Sequence, residues 1–270
     1  MKGVVFMSRT VGFIGAGNMG GAIISGLVEK GGFDAGSVFV CDHVVSDKVK
    51  KLNINVTNLS DLVCKSDYII LCVKPNVIDS VLNDIKSISG YENKVYVSIA
   101  AGKKISAIKE VLGDVKIVRT MPNLPLVAGE GMTVVCRNEK VSDEEFDFAK
   151  EVFSRSGKVL ETKENLIDSC TAINGSGPAY VFMFIEALAD AAVKNGIARS
   201  DAYELASQMI IGSAKMFLES GKHPGELKDM VCSPGGTTIA AVSVLEEKGF
   251  RSAVIAAVDE CTKKAIEMGK

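Results

Sequence analysis

The hydrophobic positions in the first half of the chain fall into short, mostly continuous runs rather than alternating ones. Val11–Ile14, Val38–Cys41, Tyr68–Val73, Val95–Ile99, Ile117–Thr120 and Met132–Cys136 are the strand candidates. Runs of this kind mark strands buried on both faces, and helix-compatible segments separate several of them. The alternation predicts an α/β domain, doubly wound around a mainly parallel sheet. A helical pattern from Met19 to Lys30 follows the first run and stops at Gly31-Gly32. Sheets of this type bind ligands beyond the carboxyl ends of their strands.

After about residue 160 the strand-like runs stop. Pro178–Asn195 reads as one helix, with Pro178 in its first turn and Gly196 past its end. It would be about 27 Å long at the usual rise. Val181 to Ile185 are apolar without a break, so this helix must be buried on every side. Further helices are expected from about Asp201 to Glu219, after Pro224, from Thr238 to Lys248, and from Arg251 onward. A helical half with so apolar a segment predicts burial between subunits, and hence a homodimer. The change of pattern divides the chain into an α/β domain over 1–162 and an all-helical domain over 163–270.

Composition narrows the function classes. Of 270 residues, 47 % are hydrophobic and 24 % charged, the profile of a globular chain with a sizeable core. A net charge of −2 leaves no electrostatic footprint for nucleic acid. Thr10–Val28, Ser169–Ile185 and Met230–Leu245 carry no charge, yet glycine interrupts all three, joined by proline in the second and third. Such interruptions suit backbone turns better than a bilayer-spanning helix, so no membrane partner is expected. Residues 1–10 lack the apolar core of a signal peptide. Seven cysteines without a Cys-x-x-Cys pair, beside only two histidines, argue against zinc and disulfides and for reduced thiols in the cytoplasm.

The chemistry concentrates in glycine-rich turns. Gly15-Ala16-Gly17-Asn18-Met19-Gly20 has G-x-G-x-x-G spacing between a predicted strand and a predicted helix. The three glycines serve a tight turn, close approach to a pyrophosphate, and close helix–sheet packing. The helix start adds free N–H groups and a positive dipole end. Asp42, 22 residues after Gly20, stands where an acid can bond the adenosine ribose hydroxyls of NAD. No arginine lies between Arg9 and Arg119 to take a 2′-phosphate, although His43, Lys48, Lys50 and Lys51 are available. NADH is therefore favoured, with NADPH left open. Cys72-Val73-Lys74-Pro75 closes a strand at the ligand side of the sheet, where Lys74 is equally well a solvated loop residue. Ser233-Pro234-Gly235-Gly236-Thr237-Thr238 leads into an apolar helix. It reads either as an anion cradle for a small carboxylate or as an ordinary capped helix.

These motifs carry a family resemblance. The chain resembles the pyrroline-5-carboxylate reductases through Phe13–Met19, Val73–Pro75, Ser98–Gly102, Arg119–Asn123, Gly175–Tyr180 and the run from His223 to Thr238. The first motif is shared by many reductases; the last three, in this order, are far more specific. The resemblance implies an N-terminal Rossmann domain and a C-terminal helical domain that interlocks with a partner, often in larger assemblies. It implies that Ser233, Gly236, Thr237 and Thr238 hold the substrate carboxylate, with Thr238 as the catalytic hydrogen-bonding group at the ring nitrogen. Asn58, Cys72, Val73, Lys74, Pro75 and Ala100 fall on cofactor contacts beside Gly15–Met19. Glu164 falls on a site-proximal acid. The implied reaction moves a hydride from NAD(P)H to the C=N carbon of L-1-pyrroline-5-carboxylate, giving L-proline in the last step of its synthesis.

Two positions depart from the family pattern. Leu124, near the cofactor, replaces a common threonine, and Asn174 a common serine. Two rivals share parts of the pattern. A β-hydroxyacid dehydrogenase would need a lysine on its first C-terminal helix, and Pro178–Asp190 contains none. A dinucleotide-sensing regulator would have a damaged substrate loop, whereas Ser233–Thr238 is intact.

Overall fold

The computed structural model describes residues 9–269; all but the last two residues of the segment read above for a signal peptide lie outside them. In chain order the strands are β1 (Val11–Ile14), β2 (Val38–Cys41), β3 (Asn55–Val56), β4 (Tyr68–Leu71), β5 (Val95–Ser98), β6 (Lys116–Met121), β7 (Gly131–Arg137) and β8 (Gly157–Glu161). Between them run α1 (Asn18–Ser25), α2 (Asp47–Lys50), α3 (Leu59–Lys65), α4 (Ile78–Lys86), α5 (Ile105–Leu112) and α6 (Asp143–Ser154). The remaining helices are α7 (Glu164–Asn174), α8 (Gly177–Lys194), α9 (Arg199–Ser220), α10 (Pro224–Val231), α11 (Thr237–Glu247) and α12 (Phe250–Met268).

The strands form one sheet in the order β3-β2-β1-β4-β5-β6-β7-β8. Every pairing is parallel except β6 with β7. Strand order reverses beside β1, so the turn after β1 opens at the switch point where ligands bind. Successive residues of β1 serve opposite faces: Phe13 packs with Ile23, Val40 and Phe153, while Ile14 packs with Leu62, Ile69 and Leu71. Burial on both faces is why these strands read as unbroken apolar runs. β3, only two residues and exposed, and β8, with Lys158 and Glu161, have no such run and escape the pattern. The helix expected through Lys30 changes at Gly26, where Gly26–Lys30 widens into a π-helical turn. A Cβ at Gly26 would overlap the Ser156 hydroxyl, so a glycine is needed for that packing.

Packing divides the chain into two units. One runs to Ser176 and includes the chain from Cys261 onward; the other is Gly177–Glu260. The first division therefore follows α7, which packs on β6 and β7, rather than preceding it as the sequence pattern suggests.

Within the second unit α8 packs chiefly against α9. The expectation that α8 is buried on every side does not hold within a single chain. Of its residues only Ala189 is buried, and Val181, Phe182, Met183 and Phe184 are exposed. One stretch among the described residues, 164–194, is long and apolar enough by composition to cross a bilayer. It spans two helices separated at Gly175-Ser176.

Candidate cofactor and anion-binding site

The glycine turn after β1 divides its work among three positions. Gly15 has φ +97°, and a Cβ there would lie 2.6 Å from the Cys72 carbonyl oxygen. A Cβ on Gly20 would lie 2.4 Å from the Gly15 carbonyl oxygen, so α1 can start close to the sheet only with glycine there. Gly17 faces open space, with nothing within 4 Å of where its Cβ would be. It is also the N-cap of α1, with no side-chain cap on the first turn. Ala16, Gly17 and Asn18 thus line a cavity of about 440 Å³, whereas Met19 packs partly buried against the core. Free N–H groups at a helix start, beside a glycine that leaves room, fit the pyrophosphate of a dinucleotide.

Asp42 follows β2 and reaches back to this turn. One carboxylate oxygen accepts from the Ala16 N–H at 2.5 Å and the other from the Val44 N–H at 3.1 Å. The carboxylate therefore braces the glycine turn and the β2 exit together. Its negative charge has a second effect: burial first, and Asp42 second, raise the thiol pKa values of Cys41 and Cys72. Both thiols are kept protonated and act as small apolar groups.

The other cofactor candidates are placed by strand ends and caps. The Cys72 N–H donates to the Ile14 carbonyl, continuing the β1–β4 ladder by one residue. Val73, Lys74 and Pro75 make the exposed exit turn beyond β4, where the Val77 N–H donates to the Lys74 carbonyl. Ala100 is buried after β5. Asn58 caps α3, its side-chain oxygen accepting from the Asp61 N–H at 2.9 Å. β1, β4 and β5 are neighbours and parallel, so the turns that follow them lie along one sheet edge.

Glu164 has a specific local task. Its Oε1 accepts from the Ile105 N–H at 2.7 Å, capping α5 from another element, and pairs with Arg119 at 3.5 Å. Lys104, the N-cap residue of α5, provides no side-chain cap itself.

The second cradle lies in the helical unit. Ser233–Gly236 turns between α10 and α11, with the Gly236 N–H donating to the Ser233 carbonyl at 3.0 Å. Gly235 has φ +68°, a conformation that favours glycine. Gly236 is the N-cap of α11 and leaves the first-turn N–H groups without a side-chain cap. Thr237 and Thr238 add hydroxyls at that helix start. Backbone donors and hydroxyls at the positive end of a helix suit a carboxylate.

Two relationships around the cofactor cavity are not legible from motifs. Val127 lines it together with Leu124, and a pair of asparagines, Asn123 and Asn174, meets behind them. The 3₁₀ turn Leu124–Ala128 that carries the first two has no periodic signature.

Residues 164–268 match the family model for pyrroline-5-carboxylate reductase dimerisation. Residues 10–102 match that for coenzyme F420-dependent NADP oxidoreductases. The chain is 46 % identical to the pyrroline-5-carboxylate reductase of Escherichia coli, with 98 % of this chain and all of that protein covered. Among solved structures, a Plasmodium falciparum pyrroline carboxylate reductase with NADP bound is 35 % identical at a TM-score of 0.89, covering 97 % of this chain and 98 % of that one. A pyrroline-5-carboxylate reductase from Coxiella burnetii is 32 % identical at a TM-score of 0.90, covering 98 % and 100 %. With that likeness running through both cradles, the chain belongs to the pyrroline-5-carboxylate reductase family.

Proposed function

We propose that the protein is an NAD(P)H-dependent pyrroline-5-carboxylate reductase that makes L-proline. The observation that carries this reading is the full-length likeness to the Escherichia coli enzyme, which includes both glycine-rich cradles. The bound dihydronicotinamide supplies a hydride to the C=N carbon of L-1-pyrroline-5-carboxylate, and a protonated imine needs no strong acid from the protein.

The chain's own residues bind and orient. The Gly15–Met19 turn and the start of α1 hold the pyrophosphate. Asp42 serves the adenosine ribose while bracing the turn, which favours NADH. Asn58, the Cys72–Pro75 exit turn and Ala100 line the rest of the cofactor's path. Ser233, Gly236 and Thr237 hold the substrate carboxylate, and the Thr238 hydroxyl bonds the ring nitrogen. Glu164, engaged by Ile105 and Arg119, holds the start of α5 in place. Fixed donors of this kind lower the barrier by orientation and by dipoles that need no rearrangement.

The exposed apolar side chains of α8 fit burial against a second copy, giving a homodimer or a larger homo-oligomer. Seven unpaired cysteines suit a reducing compartment such as the cytoplasm. The test is loss of the near-ultraviolet absorbance of reduced cofactor on adding pyrroline-5-carboxylate, with proline identified as product. No consumption with either NADH or NADPH would overturn the reading.

A further inference from the structure

We propose that the 3₁₀ turn Leu124–Ala128 is the apolar wall of the dinucleotide cavity, and that the Asn123–Asn174 amide pair positions it. The inference rests on the cofactor reading above and adds residues to it. Leu124 and Val127 are 51 % and 55 % exposed, although they belong to a rigid turn just beyond a buried strand. Both line the same cavity as Gly17 and Asn18 of the glycine turn and as Val44 and Lys48 beyond β2. Two apolar side chains facing a phosphate-binding backbone have one natural occupant here, the pyrophosphate–adenosine half of the dinucleotide. Its ribose carbons and base cover them when it binds.

The turn is held in place by side chains rather than by a strand. Asn123 is its N-cap residue. The Asn123 side-chain oxygen accepts from the Met132 N–H at 2.9 Å, and its amide donates to the Asn174 side-chain oxygen at 3.0 Å. The Asn174 amide in turn donates to the Met121 carbonyl at 2.7 Å and the Met132 carbonyl at 3.0 Å. Asn174 is buried, so these bonds fix the exit of β6, the entry of β7 and the end of α7 as one piece. A half-satisfied buried amide is costly, so the arrangement holds only as a set. Leu124 follows Asn123 directly and inherits its direction.

Calorimetric titration of the full-length protein with NADP⁺, NAD⁺ and ADP-ribose tests this. The double variant Leu124→Ala, Val127→Ala should keep the thermal midpoint of the cofactor-free protein, because both side chains are exposed there. Its Kd for all three ligands should rise about tenfold, as expected for losing contacts of two apolar side chains. Asn174→Ala should raise the cofactor KM while leaving kcat and the imine KM unchanged. Unaltered ADP-ribose affinity in the double variant would overturn the wall, and a kcat loss without a cofactor KM change in Asn174→Ala would overturn the positioning role. Absence of NADP⁺ and NAD⁺ binding by the unmodified protein would instead sink the cofactor reading itself.

Discussion

The Arg119 guanidinium donates to the Asp168 carboxylate at 2.6 Å, joining β6 to α7, with the two side chains only 2 % and 12 % exposed. Removing Asp168 leaves the buried Arg119 guanidinium only the longer 3.5 Å contact with the partly exposed Glu164, a loss of about 3–5 kcal/mol. Asp168→Ala should therefore lower stability by that order in urea unfolding, whereas Arg119→Met with Asp168→Leu should recover much of the loss. Equal destabilisation by the single and double variants would show that the pair's charge is not the issue.

Gly17 and Gly20 should respond differently to alanine. At Gly20 the new methyl meets the Gly15 carbonyl at 2.4 Å, so Gly20→Ala should lower the melting temperature of the cofactor-free protein. At Gly17 nothing stands in the way, so Gly17→Ala should melt normally yet bind cofactor at least several-fold more weakly. Thermal scans and cofactor titration separate the two effects.

Asp42 both braces the glycine turn and favours a ribose without a 2′-phosphate. Asp42→Ala should weaken NADH binding more than NADPH binding, shifting the ratio of their KM values by about tenfold. An unchanged ratio would remove Asp42 from cofactor choice.

Thr238 sits at the start of α11 with Thr237, in the cradle proposed for the substrate. Thr238→Ala should reduce kcat/KM for the imine by about tenfold to a hundredfold, the usual worth of one hydrogen bond to a reacting group. Cofactor Kd should not change. Full activity would exclude the hydroxyl from the reaction.

Glu145 links stability to pH. Burial alone would raise its pKa, but Lys116 at 2.5 Å and the Ser142 capping box outweigh burial and hold it below the ordinary glutamate range. A depressed carboxyl stabilises the fold above its unfolded pKa and loses that contribution as pH falls through its folded pKa. Glu145→Gln should therefore cost stability at neutral pH and progressively less at acid pH, as pH falls through the lowered folded pKa. Melting temperatures at neutral and acid pH provide the comparison.

Much of this molecule is legible in local chemistry. β1, β4 and β5 are buried on both faces and β2 on one face with the other half-covered, so their apolar runs announce them, and the boundaries shift by only a residue or two. The G-x-G-x-x-G spacing specifies its own turn because Gly15 needs positive φ and Gly20 needs the absence of a Cβ. Gly235 and Gly236 announce the second cradle in the same local way. β3 and β8 remain silent because partly exposed edge residues need no apolar run.

Contacts between residues distant in sequence had no such signal. Asp42 to Ala16, Glu164 to Ile105, Arg119 to Asp168 and Asn123 to Asn174 join positions 26 to 59 residues apart. Each depends on which strands become neighbours, and a polar residue's sequence neighbourhood carries no record of that. The sequence by itself determined the buried strands, the two glycine-rich cradles and the likeness to a reductase family, because those rest on local sterics and on burial. Only the tertiary structure decided that Asp42 braces the glycine turn, that Glu164 caps α5, and that Val127 joins Leu124 in lining the cofactor cavity, because those tasks exist only once the sheet order brings the elements together.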